Sequence, residues 1–509
     1  MINSLNFLAY NTPFISIFLM MAAAIITPLL PKNHRIPEKF SCLCIFINII
    51  LSGYLIYFLS SSPENISFNF PVGHFPAPWG NELRAGLLEA VLAFIFCIAM
   101  LLAVTGNFYD TYKEISDRRR QILSALVNLL TAALLALTYT NDIFTAYVFI
   151  EINTIAACAI VVVKETAGTI RAALRYLMMS LYGSGLLLLS ICILYGLTGH
   201  LLMQHMNLKI IELIKTHEYI LPLTVALALV TAGLAVKSAL YPFCFWLPDA
   251  HANSINTSSA ILSGLVLKGH VILLIKIFMR VFSLNVVAAL RMDIVILILA
   301  IAAIIVGSLH ALRQVNIKRL IAWSSVAQMG YIFLGLALNS ITGIAAGCLH
   351  IIVHAIVKPM LFTSAGALSN LAGHSKNLHD LAGTFYLNKS AGIAFIAGAC
   401  SMIGIPACAG FASKFALTSS ALQSDFAIPA VIALAVSSVL NALYYIPVVI
   451  VILTRNNNLN LNLKSKVAQI KFPLSYQISI WIFIALNFIL GLCFVPLLNL
   501  ITKGVSVFG

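Results

Sequence analysis

Fourteen apolar runs, most of them set off by proline, glycine or a charge, take up most of this 509-residue chain. A helix needs roughly 20 mostly apolar residues to cross a bilayer, because without water every backbone polar group must find its partner within the segment. The runs are 13–30, 41–60 and 85–104; then 121–137, 143–163, 172–197, 220–246 and 256–279; then 294–312, 320–338, 341–369, 391–419, 428–453 and 476–501. Only 9% of the residues are charged and 61% are hydrophobic, whereas soluble domains carry roughly 25% charged residues. A soluble protein is excluded, and the chain reads as an all-α polytopic membrane protein with about 14 transmembrane helices. The N-terminus lacks the basic segment and cleavage site of a secretory signal, so the first helix is expected to be retained.

The formal charge is +14, from 30 Lys and Arg against 16 Asp and Glu. In a soluble chain that excess would suggest nucleic-acid binding; here it is loop charge. Loops after odd-numbered runs hold 18 Lys and Arg, Arg175 apart, and loops after even-numbered runs hold five: Arg84, Lys209, Lys215, Arg280 and Arg291. Basic loops stay in the cytoplasm, which places both termini on the non-cytoplasmic side of a bacterial inner membrane. The Asn-rich stretch 456–463 reads as a flexible cytoplasmic loop. The 10 cysteines are scattered without CxxC spacing, as packing residues are.

Two helices are expected to be broken. Pro242 and Pro248 interrupt the seventh run, and Gly404, Pro406 and Gly410 interrupt the twelfth; Pro359 sits inside the eleventh. A single break is equally an ordinary kink. Breaks at corresponding places in two halves point instead to an inverted repeat with a polar pathway between the halves. The expected organisation is an N-terminal three-helix segment (1–120), two five-helix repeats (121–290 and 291–455), and a loop with a final helix (456–509).

Inside the runs stand Glu151, Lys237, Lys268, Lys276, Lys358 and Lys414, with Glu89 nearer a helix end. Each such group costs at least about 2.5–3.5 kcal/mol at mid-bilayer, so it needs a partner, water or a task. Lys276, near Arg280 at a helix end, is expected to snorkel, and Glu89 to do the same. Glu151, the one acid deep in the core, is the natural partner of Lys237. Burial disfavours either charge and pairing favours both, so the pair is either a static bridge or a switch that gives up a proton when its partner moves. His350, His354 and Lys358 are spaced i, i+4 and i+8 along one helix face. Histidine titrates nearest neutral pH, which suits this row to passing protons; packed, hydrogen-bonded histidines are the plainer alternative. The metal reading of His350 and His354 is weak, because an HxxxH spacing alone is common and no carboxylate lies nearby in sequence. Phosphate loops, dinucleotide fingerprints, nucleophile elbows and iron–sulfur cysteine arrays are all missing, so no cofactor is expected.

The stretch Lys237-Ser238-Ala239-Leu240-Tyr241-Pro242, continuing through Trp246-Leu247-Pro248-Asp249-Ala250-His251, is followed by Ser263-Gly264-Leu265-Val266-Leu267-Lys268. Then come Lys318-Arg319-Leu320-Ile321-Ala322-Trp323-Ser324-Ser325, Gln328-Met329-Gly330-Tyr331, His354-Ala355-Ile356-Val357-Lys358 and Gly410-Phe411-Ala412-Ser413-Lys414. In this order the motifs resemble the antiporter-like subunits shared by respiratory complex I, membrane-bound hydrogenases and Mrp-type cation/proton antiporters. The resemblance runs from about the fourth to the thirteenth helix. It implies two inverted half-channels and a polar chain along the midplane in which Glu151, Lys237, Lys268, His350, His354, Lys358 and Lys414 carry or gate protons. It also implies work within an assembly of other membrane subunits, with protons and Na+ or K+ as the transported ions.

The chain ends soon after the fourteenth run, without the long lateral helix of the largest complex I relative, and Lys414 stands where the middle relative has Glu. It resembles the D-type member of an Mrp antiporter most, with a complex I subunit as the alternative. Cys244 stands where many relatives have His, residues 254–259 replace a stretch that usually contains Pro, Asn316 replaces Asp, and His270 replaces Ala or Val. These departures leave open a structural paralogue with a degenerate channel.

Overall fold

The computed structural model describes residues 4–31, 35–61, 67–75, 80–454 and 472–508; the Asn-rich 456–463 stretch lies outside them. Its long helices are α1 (Ser4–Ile26), α2 (Ile36–Ser61), α3 (Leu87–Gly106), α4 (Asp117–Tyr139), α5 (Ile143–Val162), α6 (Ala167–Thr198) and α7 (Ile220–Lys237). They continue as α8 (Asn256–Phe282), α9 (Met292–Leu312), α10 (Ile317–Ala337) and α11 (Ile341–Leu371). The last are α12 (Lys389–Ile403), α13 (Ala409–Leu422), α14 (Ala427–Leu453), α15 (Leu474–Leu492) and α16 (Phe494–Ser506). Among the described residues, 13 helices are long and apolar enough to cross a membrane. The protein is a multi-pass integral membrane protein.

Three features depart from the sequence expectation. An antiparallel hairpin of β1 (Ser67–Pro71) and β2 (Glu82–Gly86) precedes α3, pairing Ser67 with Gly86 and Pro71 with Glu82. An extra helix, Met203–Lys215, lies between α6 and α7. The last apolar run, expected as one helix over 476–501, is divided at Cys493 into α15 and α16. Pro496, in the first turn of α16, has no N–H to continue the earlier helix's ladder.

The apolar stretches of α8, α10 and α11 are wholly buried, as expected of helices that are hydrophobic all round. The other helices surround them, with α9 packed along α10, α6 along α7, α1 along α4 and α2 along α3. Helices α6 and α7 meet backbone to backbone, since a Cβ on Gly183 would lie 2.8 Å from the carbonyl oxygen of Gly233 and 3.1 Å from Cγ of Lys237. These central helices carry the buried Lys268, His270, Lys276, Lys318, His350, His354 and Lys358, while the buried Lys237, His251 and Lys414 lie on elements packed around them.

Candidate functional site

The seventh apolar run stops being helical at Lys237. Ser238–Phe245 is a series of turns, with Ala239 at φ 55°, and a short helix, Trp246–Asn253, follows. Lys237 thus sits at a helix C-terminus, where unpaired carbonyls favour a cation. Its Nζ donates to Glu151 Oε1 at 3.1 Å and to Thr154 Oγ1 at 3.0 Å, both on α5. The same carboxylate oxygen accepts from Ser184 Oγ of α6 at 2.5 Å. Lys237 is fully buried, while the Glu151 side chain keeps 25% of its surface exposed. Sequence reasoning named the ion pair but not Thr154 or Ser184, because a lone hydroxyl on an apolar helix carries no pattern.

Helix α8 contains two π-helical stretches, Leu262–Val266 and Ile277–Phe282, on either side of Lys268. Such wide turns recur at functional sites. Lys268 Nζ donates to the Ser263 carbonyl and is in hydrogen-bond contact with His354 Nδ1 of α11. One turn away, His350 Nδ1 meets Ser413 Oγ of α13 at 2.9 Å. The two imidazole centroids are 6.3 Å apart, and each Nε2 is buried without a hydrogen-bond partner among the described residues. Tyr331 packs against His350 at 5.2 Å and also faces Lys414 Nζ at 5.2 Å.

Lys414 caps the second break. Gly404 ends α12 with φ 96°, a left-handed conformation that suits glycine. A Cβ on Gly410 would lie 1.7 Å from the Ser401 carbonyl oxygen, so only glycine lets α13 start this close to α12. Lys414 Nζ donates to the freed carbonyls of Met402 and Ile403, both at 2.9 Å, and to Ser438 Oγ at 3.3 Å.

The row expected along α11 divides. His350 and His354 point to α13 and α8, whereas Lys358 Nζ donates to the Ile321 carbonyl at 3.1 Å and to Ser324 Oγ on α10. Ser324 Oγ in turn meets Tyr445 OH at 2.7 Å. His251, stacked on Phe362, is buried with both ring nitrogens unpartnered among the described residues, and so are both amide atoms of Gln328.

Lys276 does not snorkel. It is fully buried, and its Nζ donates to the carbonyls of Leu137 (2.9 Å), Thr138 (2.6 Å) and Thr140 (2.7 Å) at the end of α4. Glu89 is buried too, paired with Arg280, whose Nε donates to the Phe508 carbonyl at 2.6 Å. Both expectations failed for one reason: protein covers these helix ends, so the side chains find partners inward instead of reaching an interface.

The departures have structural places. Asn316 caps α10, accepting from the backbone N–H groups of Lys318 (3.0 Å) and Arg319 (3.2 Å), as an Asp there would. His270 Nε2 meets Asn153 Nδ2 at 3.2 Å, and Cys244 is fully buried.

The fold is a polytopic helical membrane fold whose buried lysines each bond to a carboxylate, an imidazole, a hydroxyl or a helix-end carbonyl. Residues 140–441 match the model of the family described as "NADH:quinone oxidoreductase/Mrp antiporter, TM", and the chain belongs to that family. It is 34% identical over 386 residues, 75% of this chain and 74% of the relative, to NADH-quinone oxidoreductase subunit N of Desulforudis audaxviator. It is 28% identical over 408 residues, 80% of each chain, to the D-type member of the Na(+)/H(+) antiporter of Alkalihalophilus pseudofirmus. A chain of the Mrp complex from a Dietzia species shares the fold, with a TM-score of 0.86 at 19% identity, covering 98% of this chain and 97% of that one.

Proposed function

We propose that the chain is the proton-translocating subunit of a multisubunit Mrp-type monovalent cation/proton antiporter, similar to its D-type member, in a bacterial inner membrane with both termini on the non-cytoplasmic side. The observation that carries this reading is the series of buried contacts from Lys237 with Glu151, through Lys268 with His354 and His350 with Ser413, to Lys414. In this reading, 121–290 and 291–455 are two inverted half-channels, 1–120 supports them from the side, and 456–509 closes the chain. Other membrane subunits complete the transporter, which exchanges Na+ or K+ for protons.

A proton enters from the basic face near the α7 break and rests on Lys237, with Glu151 setting how tightly it is held. Lys268 delivers a proton to His354 Nδ1; the imidazolium then releases one from Nε2, so the proton crosses the ring without the ring turning. His350, whose ring centroid lies 6.3 Å from that of His354, is the next group to take the proton. Lys414 receives the proton, and the helix-end carbonyls it touches stabilise its charge. Lys358, with Ser324 and Tyr445, forms a side branch that biases the charge on Lys268 and His354. The test is a reconstituted assembly carrying Glu151→Gln or Lys237→Ala: pH-gradient-coupled transport should vanish while the subunits still co-purify, and normal coupling in either variant would sink the proposal.

A second reading, an antiporter-like subunit of an NADH:quinone oxidoreductase, is favoured by the 34% identity to a subunit N. Purification of the tagged protein in mild detergent separates the two. Small membrane subunits alone support the antiporter; peripheral flavin and iron–sulfur proteins support the oxidoreductase.

A further inference from the structure

On the face that carries most of the Lys and Arg, a surface pocket opens between the first turns of α6, the short helix Trp246–Asn253 and the start of α10. Its walls include Gly168, Arg171, Arg175, Asp249, Asn253 and Arg319. Asp249 divides its carboxylate between two arginines: Arg175 Nη1 donates to Oδ2, and Arg319 Nη2 donates to Oδ1 at 2.7 Å. The side chains of Arg175 and Arg319 are 60% and 44% exposed, and Arg171 is exposed as well. Three guanidinium groups against one carboxylate leave two positive charges in excess. Each guanidinium offers a planar fork of five N–H donors, and Asp249 takes up one terminal nitrogen from each of two of them.

The surface next to the pocket is apolar. Ile170, Leu174, Met178 and Leu181 are exposed large hydrophobics of α6, spaced i, i+4, i+8 and i+11, so they form one stripe that starts at the arginines and runs down the helix. A basic pocket at the membrane surface above an exposed apolar stripe matches a ligand with an anionic head and hydrocarbon tails. We infer that this pocket binds the phosphate head of an anionic phospholipid whose acyl chains lie along α6. Free phosphate would satisfy the arginines but leave the stripe uncovered. Asp249 competes with the phosphate for Arg175 and Arg319. It sits on the helix that resumes after the break at Lys237, so the lipid head bears on the segment just beyond that break.

The test needs no transport measurement and so stands apart from the proposed function. The full chain, stripped of lipid in detergent, is placed in phosphatidylcholine nanodiscs with and without phosphatidylglycerol, and lipid retention is read by native mass spectrometry alongside thermal unfolding. Phosphatidylglycerol should be retained and should raise the unfolding temperature. Arg171→Gln combined with Arg319→Gln should weaken retention by about tenfold or more, and Arg291→Gln, an exposed arginine outside the pocket, should leave it unchanged. Asp249→Asn should tighten it by removing the competitor, a gain that loss of a merely structural ion pair would not produce, and it keeps the test valid if the double variant does not fold. Equal retention of both lipids overturns the inference. So does equal stabilisation by inorganic phosphate alone, or capture of a protein segment in place of lipid by a photocrosslinker at Leu174.

Discussion

A Cβ on Gly366 would lie 2.2 Å from Nδ2 of Asn256, so the absence of a side chain on α11 is what lets the first residue of α8 reach Asp110. Asn256 Nδ2 donates to one carboxylate oxygen of Asp110 at 2.7 Å, and Asn370 Nδ2, at the end of α11, donates to the other at 2.6 Å. Asp110 lies outside the membrane spans, in the short helix Phe108–Glu114. Gly366→Ala should push Asn256 aside and leave the carboxylate short of a donor. A loss of roughly 1–3 kcal/mol is expected, read as a lower unfolding temperature in detergent.

The same carboxyl makes stability depend on pH. Burial raises Asp110 from 3.8 to about 6; the Asn256 hydrogen bond opposes this, Glu114 adds to it, and Lys318 and His374 oppose it. A folded value above the unfolded one means that the folded state is favoured while the acid is protonated, and that this advantage is lost as pH rises from about 4 through about 6. Wild-type stability should therefore fall over that window by up to about 3 kcal/mol. In Asp110→Asn that part of the slope should be absent. Melting temperatures measured from pH 4 to 8 decide it, and parallel curves for the two proteins would refute the assignment.

Lys276→Ala should be costly. It removes the donor to three buried carbonyls at the end of α4, for which about 2–4 kcal/mol is expected. Lys276→Met, which keeps the volume but not the charge, should rescue little. Chemical unfolding of both variants would show whether packing or hydrogen bonding dominates.

Breaking the buried Glu89–Arg280 pair by Glu89→Gln should destabilise by about 3–5 kcal/mol, because a charge is then buried without its counter-ion. Limited proteolysis offers a local check, since Arg280 also holds the Phe508 carbonyl and the C-terminal residues should become cleavable.

Thr154→Val should leave the Glu151–Lys237 pair in place while removing the second acceptor of Lys237. The expected effect on coupled transport is a partial loss, about tenfold, which corresponds to a net hydrogen bond to a charged group. A loss as complete as that of Lys237→Ala would mean that Thr154 itself lies on the route.

The helices were legible in the sequence because an apolar run in a bilayer has few alternatives; proline was an uneven guide, since Pro242 lies in the turns after Lys237 while Pro13, Pro359 and Pro447 sit inside continuous helices. Lys237, Lys268 and Lys414 could be singled out because a charge there needs a reason. What stayed hidden was partnership. Lys276 and Lys268 look alike in sequence, yet one bonds to three backbone carbonyls and the other to one carbonyl and an imidazole. The hydroxyls of Thr154, Ser184 and Ser413 and the link from Asp110 to Asn256 and Asn370 become visible only when helices distant in sequence are packed together.

The burial of α8 bears on how the protein is made. Its most apolar 18-residue stretch has a mean hydropathy of 2.0, yet the helix carries Lys268, His270, Lys276 and Arg280, all buried in the finished protein. Leaving the translocon alone, it would expose these groups to lipid, at a cost of about 2.5–3.5 kcal/mol for each mid-bilayer charge. Apart from the Ser263 carbonyl on α8 itself, their partners lie on segments made earlier, Glu89 on α3, the carbonyls at the end of α4 and Asn153 on α5, and on segments made later, His354 on α11 and the Phe508 carbonyl. The helix at the centre of the fold is thus one whose basic side chains are fully partnered only after segments on both sides of it in sequence have been made, and it is poorly suited to enter the bilayer by itself.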